Sequence, residues 1–339
     1  MADGKDARAA NIFDVARLAG VSHQTVSRVL NGLPNVRPAT KERVEKAIAQ
    51  LNYSPSPAAR ALVTRRTRTI GLITPSVTDH GPMSIANHFN LAAREARYSV
   101  DAVSTLEDDP AVVRASIEGL LRQRVDAIVV IVAQTAALDV VRGLDLGVPV
   151  VAAASTQHRG PRIVSIDQYR GARAAVRHLA ELGHTRIVHI AGPEDAPDAL
   201  ERVRGWQDEL AARRLEIVTP LVGDWTAASG YRLGIELDVD PGDAIFVGND
   251  QMSIGLLSAL RGRGLRVPDD VSVVGFDDIP EAGYLFPPLT TVRQDFEALG
   301  RLAMQKVLVA LEESTGETSD TPIPTHLVVR GSTRGLPEA

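Results

Sequence analysis

A chain of 339 residues is too long for one ordinary core, and 44% hydrophobic with 23% charged residues describes a soluble protein of two or three domains. With no cysteine, disulfides and thiolate metal sites are excluded; the charged start MADGKDARAA is no signal peptide, and the longest apolar run, 127–133, is far too short for a bilayer, so a cytoplasmic protein is expected. The net charge of −5 conceals an asymmetry: residues 1–65 hold ten Lys/Arg against five Asp/Glu, a surplus of +5 that leaves −10 for the rest. A basic head on an acidic body suits a polyanion-binding module joined to something else.

Three helices are predicted in the head. In NIFDVARLAG, Ile12, Val15, Ala16 and Ala19 recur at amphipathic helical spacing, Asn11 can cap the start, Asp14 suits the first turn and Gly20 ends the helix. In VSHQTVSRVLNG, Ser22 is the natural N-cap, Val26, Val29 and Leu30 share one side, and Asn31-Gly32 stops the helix. In PATKERVEKAIAQL, Pro38 stands first, and Val44, Ala47, Ile48 and Leu51 form the apolar stripe. Only Gly20 to Ser22 separate the first two helices, the short glycine turn of a helix-turn-helix. The second helix of that motif enters the DNA major groove. His23, Gln24, Ser27 and Arg28 lie on its polar side. Gln can bond adenine through two atoms and Arg guanine, while Thr25, Ser27 and Asn31 suit phosphate oxygens. The plain alternative is a small three-helix bundle with a solvated polar face; the positive charge and the position at a chain end favour DNA.

The stretches IFDVARLAGVSHQTVSRVLNG and VRPATKERVEKAIAQLNYSP resemble the DNA-binding head of the lactose/galactose-repressor family, densely over about fifty residues. The resemblance implies that His23, Gln24 and Arg28 read bases, with Ser22, Thr25, Ser27 and Asn31 beside them. Arg37-Pro38 stands where the family often has a small hydroxyl residue, which leaves the cap of the third helix open.

The next stretch, SPSPAARALVTRRTR, has linker composition, yet Ser56-Pro57 is also a cap followed by an N1 proline, and AARALV favours helix. One helix of about eight residues is marginal alone in water, so it should fold only when docked. The resemblance implies a hinge helix that pairs with its twin in the minor groove. Ala59 and Leu62 then join the DNA-binding residues, Leu62 matching the leucine that wedges between base steps and kinks the duplex.

From residue 69 short apolar runs alternate with helical patterns: TIGLIT, YSVDAVS, AIVVIVA, PVVAAA, IVSI, RIVHIAG, AIFVGN, VSVVGFDD and LVVR. Runs apolar on both faces indicate buried parallel strands with helical crossovers, the doubly wound α/β arrangement. The pattern restarts near LGHTRIVHIAG, so two similar subdomains facing across a cleft are expected. Open α/β sheets bind ligands beyond the carboxyl ends of their strands. Residues just past the runs include Pro75, Ser76 and Asp79, then Asn249 and Asp250, then Asp277 and Asp278. Asn249 taken alone is equally a helix N-cap.

The stretches ERVRGW, GDWTAASGY, VGNDQMSIG, SVVGFDD and FPPLTTVRQDFEALG extend the family resemblance from residue 11 to about 334. It implies a core similar to periplasmic sugar-binding proteins and places Arg202, Trp225, Asn249, Asp277, Gln294 and Phe296 at sugar-contacting positions. An Arg fork can bridge neighbouring hydroxyls, Asp accepts from them, Asn does both, and an indole covers the apolar face of a pyranose. Trp206 follows the apolar side of its helix and reads as core. In two places the chain departs from the pattern: Ala154 replaces an aspartate, and Asp79 replaces an apolar residue. Asp79 would face the substituent on the anomeric carbon, which suits a second sugar ring better than an alkyl group.

The reading that results is a helix-turn-helix domain over 8–55, a hinge over 56–67 and an effector-binding, dimerising core over 68–339. The core divides into one subdomain of about 68–166 plus 294–323 and another of about 167–293 plus 324–339. The expected function is a repressor of sugar-utilisation genes, released from a pseudo-palindromic operator by a small saccharide, with no cofactor, metal or membrane partner. The chain stops soon after LVVRGSTRG without a leucine-rich tetramerising helix, so a homodimer is expected. An enzyme lacks support, since GxGxxG, Walker, GxSxG and HExxH motifs are all missing from the sequence. His184 and His189 straddle a turn-to-strand boundary and read as structural. A periplasmic transport receptor would need a signal peptide and no basic head. The alternatives kept are a regulator of the same fold whose effector is a purine or a partner protein, or whose ligand is a co-repressor.

Overall fold

The structure, a computed structural model, describes residues 10–30, 34, 36–53, 66–75, 80–105, 110–132, 146–154, 162–312, 314 and 318–334. The chain forms two compact units, Met1–Thr67 and Arg68–Ala339.

The first unit holds three helices, α1 (Ile12–Ala19), α2 (His23–Leu30) and α3 (Pro38–Gln50). Asn11 caps α1 in a full capping box: its side chain accepts from the amides of Phe13 and Asp14, and Asp14 accepts from the Asn11 amide. Gly20 ends α1 in the left-handed region at φ 64°, which glycine enters without a Cβ penalty. Ser22 Oγ accepts from the Thr25 amide at 3.2 Å and so caps α2. Arg37 precedes Pro38 without a side-chain cap, so proline alone shapes that start. Val15, Ala16, Ala19, Val26, Val44 and Ala47 form the buried centre, with Ile12, Val29, Leu30, Ile48 and Leu51 packed around it.

The second unit contains two sheets. The first uses β1 (Thr69–Pro75), β2 (Ser99–Thr105), β3 (Ala127–Ile131), β4 (Val150–Ala153) and β5 (Ile163–Val164), in the order β2-β1-β3-β4-β5, all parallel. Helices α4 (His80–Glu95) and α5 (Pro110–Arg122) connect its first strands. The second sheet comprises β6 (Ile187–Ala191), β7 (Leu221–Val222), β8 (Ala244–Val247), β9 (Ser272–Asp277), β10 (Thr290–Arg293) and β11 (His326–Val328), in the order β11-β10-β9-β8-β6-β7. Its helices are α6 (Gln168–Glu181), α7 (Pro197–Arg213), α8 (Ala227–Glu236) and α9 (Asp250–Gly262). Apart from β11 the two sheets repeat one strand order, so the restart of the pattern is a structural repeat. Each sheet carries apolar clusters on both faces, which makes each half doubly wound.

The chain passes between the halves three times. After β5 it leaves the first sheet through Ser165–Asp167. After β10 it returns to form α10 (Phe296–Ala310), whose Phe296, Leu299, Ala303, Met304 and Val307 complete the core against α4 and the first sheet. It then crosses back beside the first passage, where Ile323 N donates to Ser165 O at 2.9 Å and Asp167 N to Ile323 O at 2.8 Å. This third passage explains a departure from the all-parallel expectation. The chain leaves β10 at its carboxyl end and re-enters at that same end, so β11 runs antiparallel to β10.

Two strands have no counterpart among the apolar runs. β7 has only two residues, and β10 reads TTVR, where fully buried Thr290 and Thr291 replace aliphatic residues. Their hydroxyls are satisfied: Thr291 Oγ1 donates to Asp250 at 2.6 Å, and Thr290 Oγ1 accepts from the Arg330 amide at 2.9 Å. Trp206 is fully buried, its indole N–H donating to Ile187 O at 3.0 Å, as its helical position predicts. No helix among the described residues is long and apolar enough to cross a membrane.

Candidate functional site

The head presents one surface. Ser22, His23, Gln24 and Arg28 are exposed, and Thr25 and Ser27 are half-buried at its edge. Ser22 and Thr25 share a hydroxyl–hydroxyl hydrogen bond of 3.0 Å, which fixes the start of α2. Gln24 and Arg28, one helical turn apart, make no hydrogen bond to any described residue. Val26 beneath them is fully buried, so the helix cannot rotate to hide them. His23 lies against exposed Phe13, with ring centroids 5.2 Å apart. Asn31, Ala59 and Leu62 lie outside the described residues.

The second unit has a cleft where the carboxyl ends of both sheets meet. It is a concave site open to solvent on one side, as small-molecule sites usually are. Arg202, Trp225, Asn249, Asp277, Gln294 and Phe296 all line it. Asp79 lies outside the described residues. The first-sheet wall is largely apolar, with Ile85, Ile131, Val132, Ala153 and Ala154, and offers His80 and Ser165 as polar side chains. The second-sheet wall carries nearly all the charge.

A hydrogen-bond relay orders that wall. Arg202 Nε donates to Gln168 Oε1 at 3.0 Å; Gln168 Nε2 donates to Gln294 Oε1 at 2.8 Å; Gln294 Nε2 donates to Asp277 Oδ1 at 2.7 Å. Because a guanidinium only donates, it fixes the orientation of Gln168, which fixes Gln294, which must then donate to the carboxylate. The relay closes through Arg202 Nη2, 3.5 Å from Asp277 Oδ1. Nη1 donates to Gly248 O, and the guanidinium stacks 3.9 Å from the Phe276 ring centre and 5.4 Å from that of Trp225. The fork expected to hold neighbouring hydroxyls is therefore only partly free, since Nε and Nη1 already serve protein oxygens. Burial raises the Asp277 pKa, against the opposing pull of Arg202, His80 and the Gln294 hydrogen bond.

Asn249 fills both roles its sequence position allows. Its oxygen caps α9 through the Met252 amide at 2.9 Å, and its amide donates to Trp225 O at 3.0 Å. It thereby holds Trp225, whose backbone is left-handed at φ 72°, with the indole against Gly192. Phe296 opens α10 behind the Asp295 cap and meets His80 edge to face at 5.6 Å. Of the neighbouring acids, Asp250 points away from the cleft. It accepts from Thr291 Oγ1 and the Ile279 amide, and burial, reinforced by Asp277, pushes its pKa up to about 8. Asp278 binds Arg293 and Arg330, each at 2.6 Å, and ties the last strands together.

Sequence reasoning missed Gln168, Asp198, His80 and Ser165, all of which line the cleft. Reading just past each apolar run could have reached Gln168 after IVSI and Asp198 after RIVHIAG, had the window been a few residues longer. His184 and His189 are buried and bind backbone carbonyls, His184 that of Gly242 at 2.8 Å and His189 that of Phe246 at 2.9 Å. No group of acids and histidines among the described residues could hold a metal ion.

Comparison with known proteins finds two family matches. Residues 11–56 match the family described as bacterial regulatory proteins, lacI family, and residues 176–333 match the periplasmic binding protein-like domain. The lactose operon repressor of Escherichia coli strain K12 is 33% identical over 333 residues, covering 95% of this chain and 90% of that one. A crystal structure of the lac repressor dimer bound to operator and the anti-inducer ONPF superposes with a TM-score of 0.85 at 31% identity, covering 96% of this chain and all of that one. A complex of the transcriptional regulator CelR with cellobiose superposes with a TM-score of 0.69 at 33% identity, covering 95% and 99%.

Proposed function

The chain belongs to the lacI family of bacterial regulatory proteins, and from that premise we propose that it is a cytoplasmic, homodimeric repressor of sugar-utilisation genes. It binds a pseudo-palindromic operator through two heads and leaves it when a small saccharide, most simply a disaccharide or glycoside, enters the cleft. Its relatives are regulators of transcription, not enzymes. The observation that carries the ligand reading is the convergence of Arg202, Trp225, Asn249, Asp277, Gln294 and Phe296 on one cleft from widely separated stretches of sequence. Charged and amide groups on one wall suit hydroxyls; Trp225 and the apolar wall opposite suit the C–H faces of a pyranose. The CelR complex, with a disaccharide in a related fold, supports the same class of ligand.

On this reading the domains are the head, 8–55; a hinge, 56–67; and the core from 68, divided at the three passages into about 68–166 plus 294–323 and 167–293 plus 324–339. Ser22, His23, Gln24, Thr25, Ser27, Arg28 and Asn31 face the operator, and the hinge, with Ala59 and Leu62, folds in the minor groove. Asp79 faces a second sugar ring. Sugar favours one arrangement of the two subdomains over the other and so unpairs the hinges. The coupling is reciprocal: operator weakens sugar binding by the factor by which sugar weakens operator binding.

A thermal-shift screen of mono- and disaccharides (cellobiose among them) and purine bases, followed by operator release with each hit, tests the reading. A saccharide hit that releases operator is expected. A purine hit, or a saccharide that tightens operator binding, would replace it with the corresponding purine-gated or co-repressed regulator.

A further inference from the structure

Asp198 is a cleft carboxylate whose hydrogen bonding is incomplete. It lies in the first turn of α7 and lines the cleft. Its one hydrogen bond to a described residue comes from Gln168 Nε2 at 3.3 Å, and that same amide is better placed on Gln294 at 2.8 Å. A carboxylate has about four acceptor positions, so most of this one's capacity is unused. Arg202, one turn further along α7, does not supply the rest: its nitrogens serve Gln168, Gly248 and Asp277. Two carboxylates, Asp198 and Asp277, therefore share a cleft wall with one guanidinium that is already engaged. Across the cleft stand His80, Ser165 and the apolar side chains.

We propose that Asp198 is an effector-contacting residue that accepts hydrogen bonds from a pair of neighbouring hydroxyls, forming with Asp277 a two-carboxylate recognition of an uncharged polyol ring. This rests on the reading of the cleft as the effector site and narrows it. Uronates and sugar phosphates are disfavoured, because an anion would face two acids while two of the three nitrogens of the one Arg on that wall already serve protein oxygens.

The arrangement also links binding to protons. Burial, helped by Asp277 and Glu201 and opposed by Arg202, pushes the Asp198 pKa up to about 6 in the free cleft. The groups facing it are Arg202 and Glu201 on α7, Gln168 on α6 and Asp277 at the end of β9; His80 on α4 faces Asp277. A pair of hydroxyl donors is accepted by both oxygens only when the carboxylate is ionised, so binding favours loss of its proton. Affinity falls as pH drops through about 6, where the free carboxylate takes up its proton.

Titration calorimetry of full-length wild type, Asp198→Asn and Asp198→Ser tests this with glucose, galactose, cellobiose, lactose and glucose 6-phosphate between pH 5 and 8. Both variants should keep the wild-type melting temperature and operator binding. Both should lose about tenfold or more in affinity for the saccharide that wild type binds, and with it the acid-side fall. Unchanged affinity in both variants overturns the role of Asp198 and leaves the sugar reading standing. So does tighter binding of glucose 6-phosphate than of glucose. An acid-side fall that survives in Asp198→Asn overturns the proton linkage. Wild type that binds none of these compounds removes the sugar reading and this inference together.

Discussion

Gly192→Ala should damage the proposed effector site through a residue it does not replace. A Cβ built on Gly192 lies 2.1 Å from Trp225 Cη2, 2.2 Å from Cζ2 and 2.6 Å from Cε2. Ordinary carbon contacts are about 3.5–4.0 Å, so the indole must withdraw by more than an ångström. Its backbone cannot follow easily: Trp225 is held at φ 72°, its carbonyl bound by Asn249, with the Asp224–Thr226 turn closed by hydrogen bonds of 3.0 and 2.6 Å. The ring must therefore rotate, and the direction open to it is the cleft. An off-rotamer side chain costs about 0.5–1.5 kcal/mol, and a lost ring contact of the order found for aromatic pairs another 0.5–1.5. Effector affinity should fall by about 1–3 kcal/mol, roughly five- to 150-fold, with operator binding retained. Titration calorimetry with the screened saccharide measures this, and a double-mutant cycle identifies the route. In a Trp225→Ala background, Gly192→Ala should cost less than about 0.3 kcal/mol further. Wild-type affinity in Gly192→Ala, or penalties that simply add in the double variant, would refute the reasoning.

Gln24→Ala and Arg28→Ala should each lose operator preference by about 1–3 kcal/mol in footprinting, with the core's melting transition unchanged. Arg202→Lys keeps a charge but loses the planar fork, so Gln168 and Gln294 lose their enforced orientation; sugar-induced operator release should weaken tenfold or more in gel-shift titrations. Glu209 is buried yet accepts from Arg177, Arg213 and Arg173, which outweigh the upward push of burial and bring its pKa to about 2. A depressed acid stabilises above its unfolded value, and the contribution disappears as pH falls from about 4.5 through 2. Because the arginines are 30–49% exposed, the contribution is discounted to about 1–3 kcal/mol. Glu209→Gln should lower the melting temperature at pH 7, and the difference from wild type should shrink across that acid window.

The sequence determined what depends on local order. Caps, turn glycines and helical periodicity state their own structure, because the groups they satisfy lie within a few residues; Asn11, Gly20, Ser22 and Pro38 each stand where reading predicts. Buried parallel strands announce themselves because both faces must be apolar. β10 escaped because buried threonines satisfied by Asp250 and Arg330 resemble a polar loop until those distant partners are in place. The resemblance supplied six cleft residues, but not the order among them. That order depends on side chains from α6, α7, β9 and the β10–α10 passage meeting in space, and no sequence spacing encodes it. Tertiary structure alone decided that Gln168 relays between Arg202 and Gln294, that Asp277 faces the cleft while Asp278 and Asp250 face the sheet, and that Asp198 keeps acceptor capacity unspent. Hydrogen bonds are short and directional, so which acid is free and which is committed follows only from where its neighbours' donors are aimed.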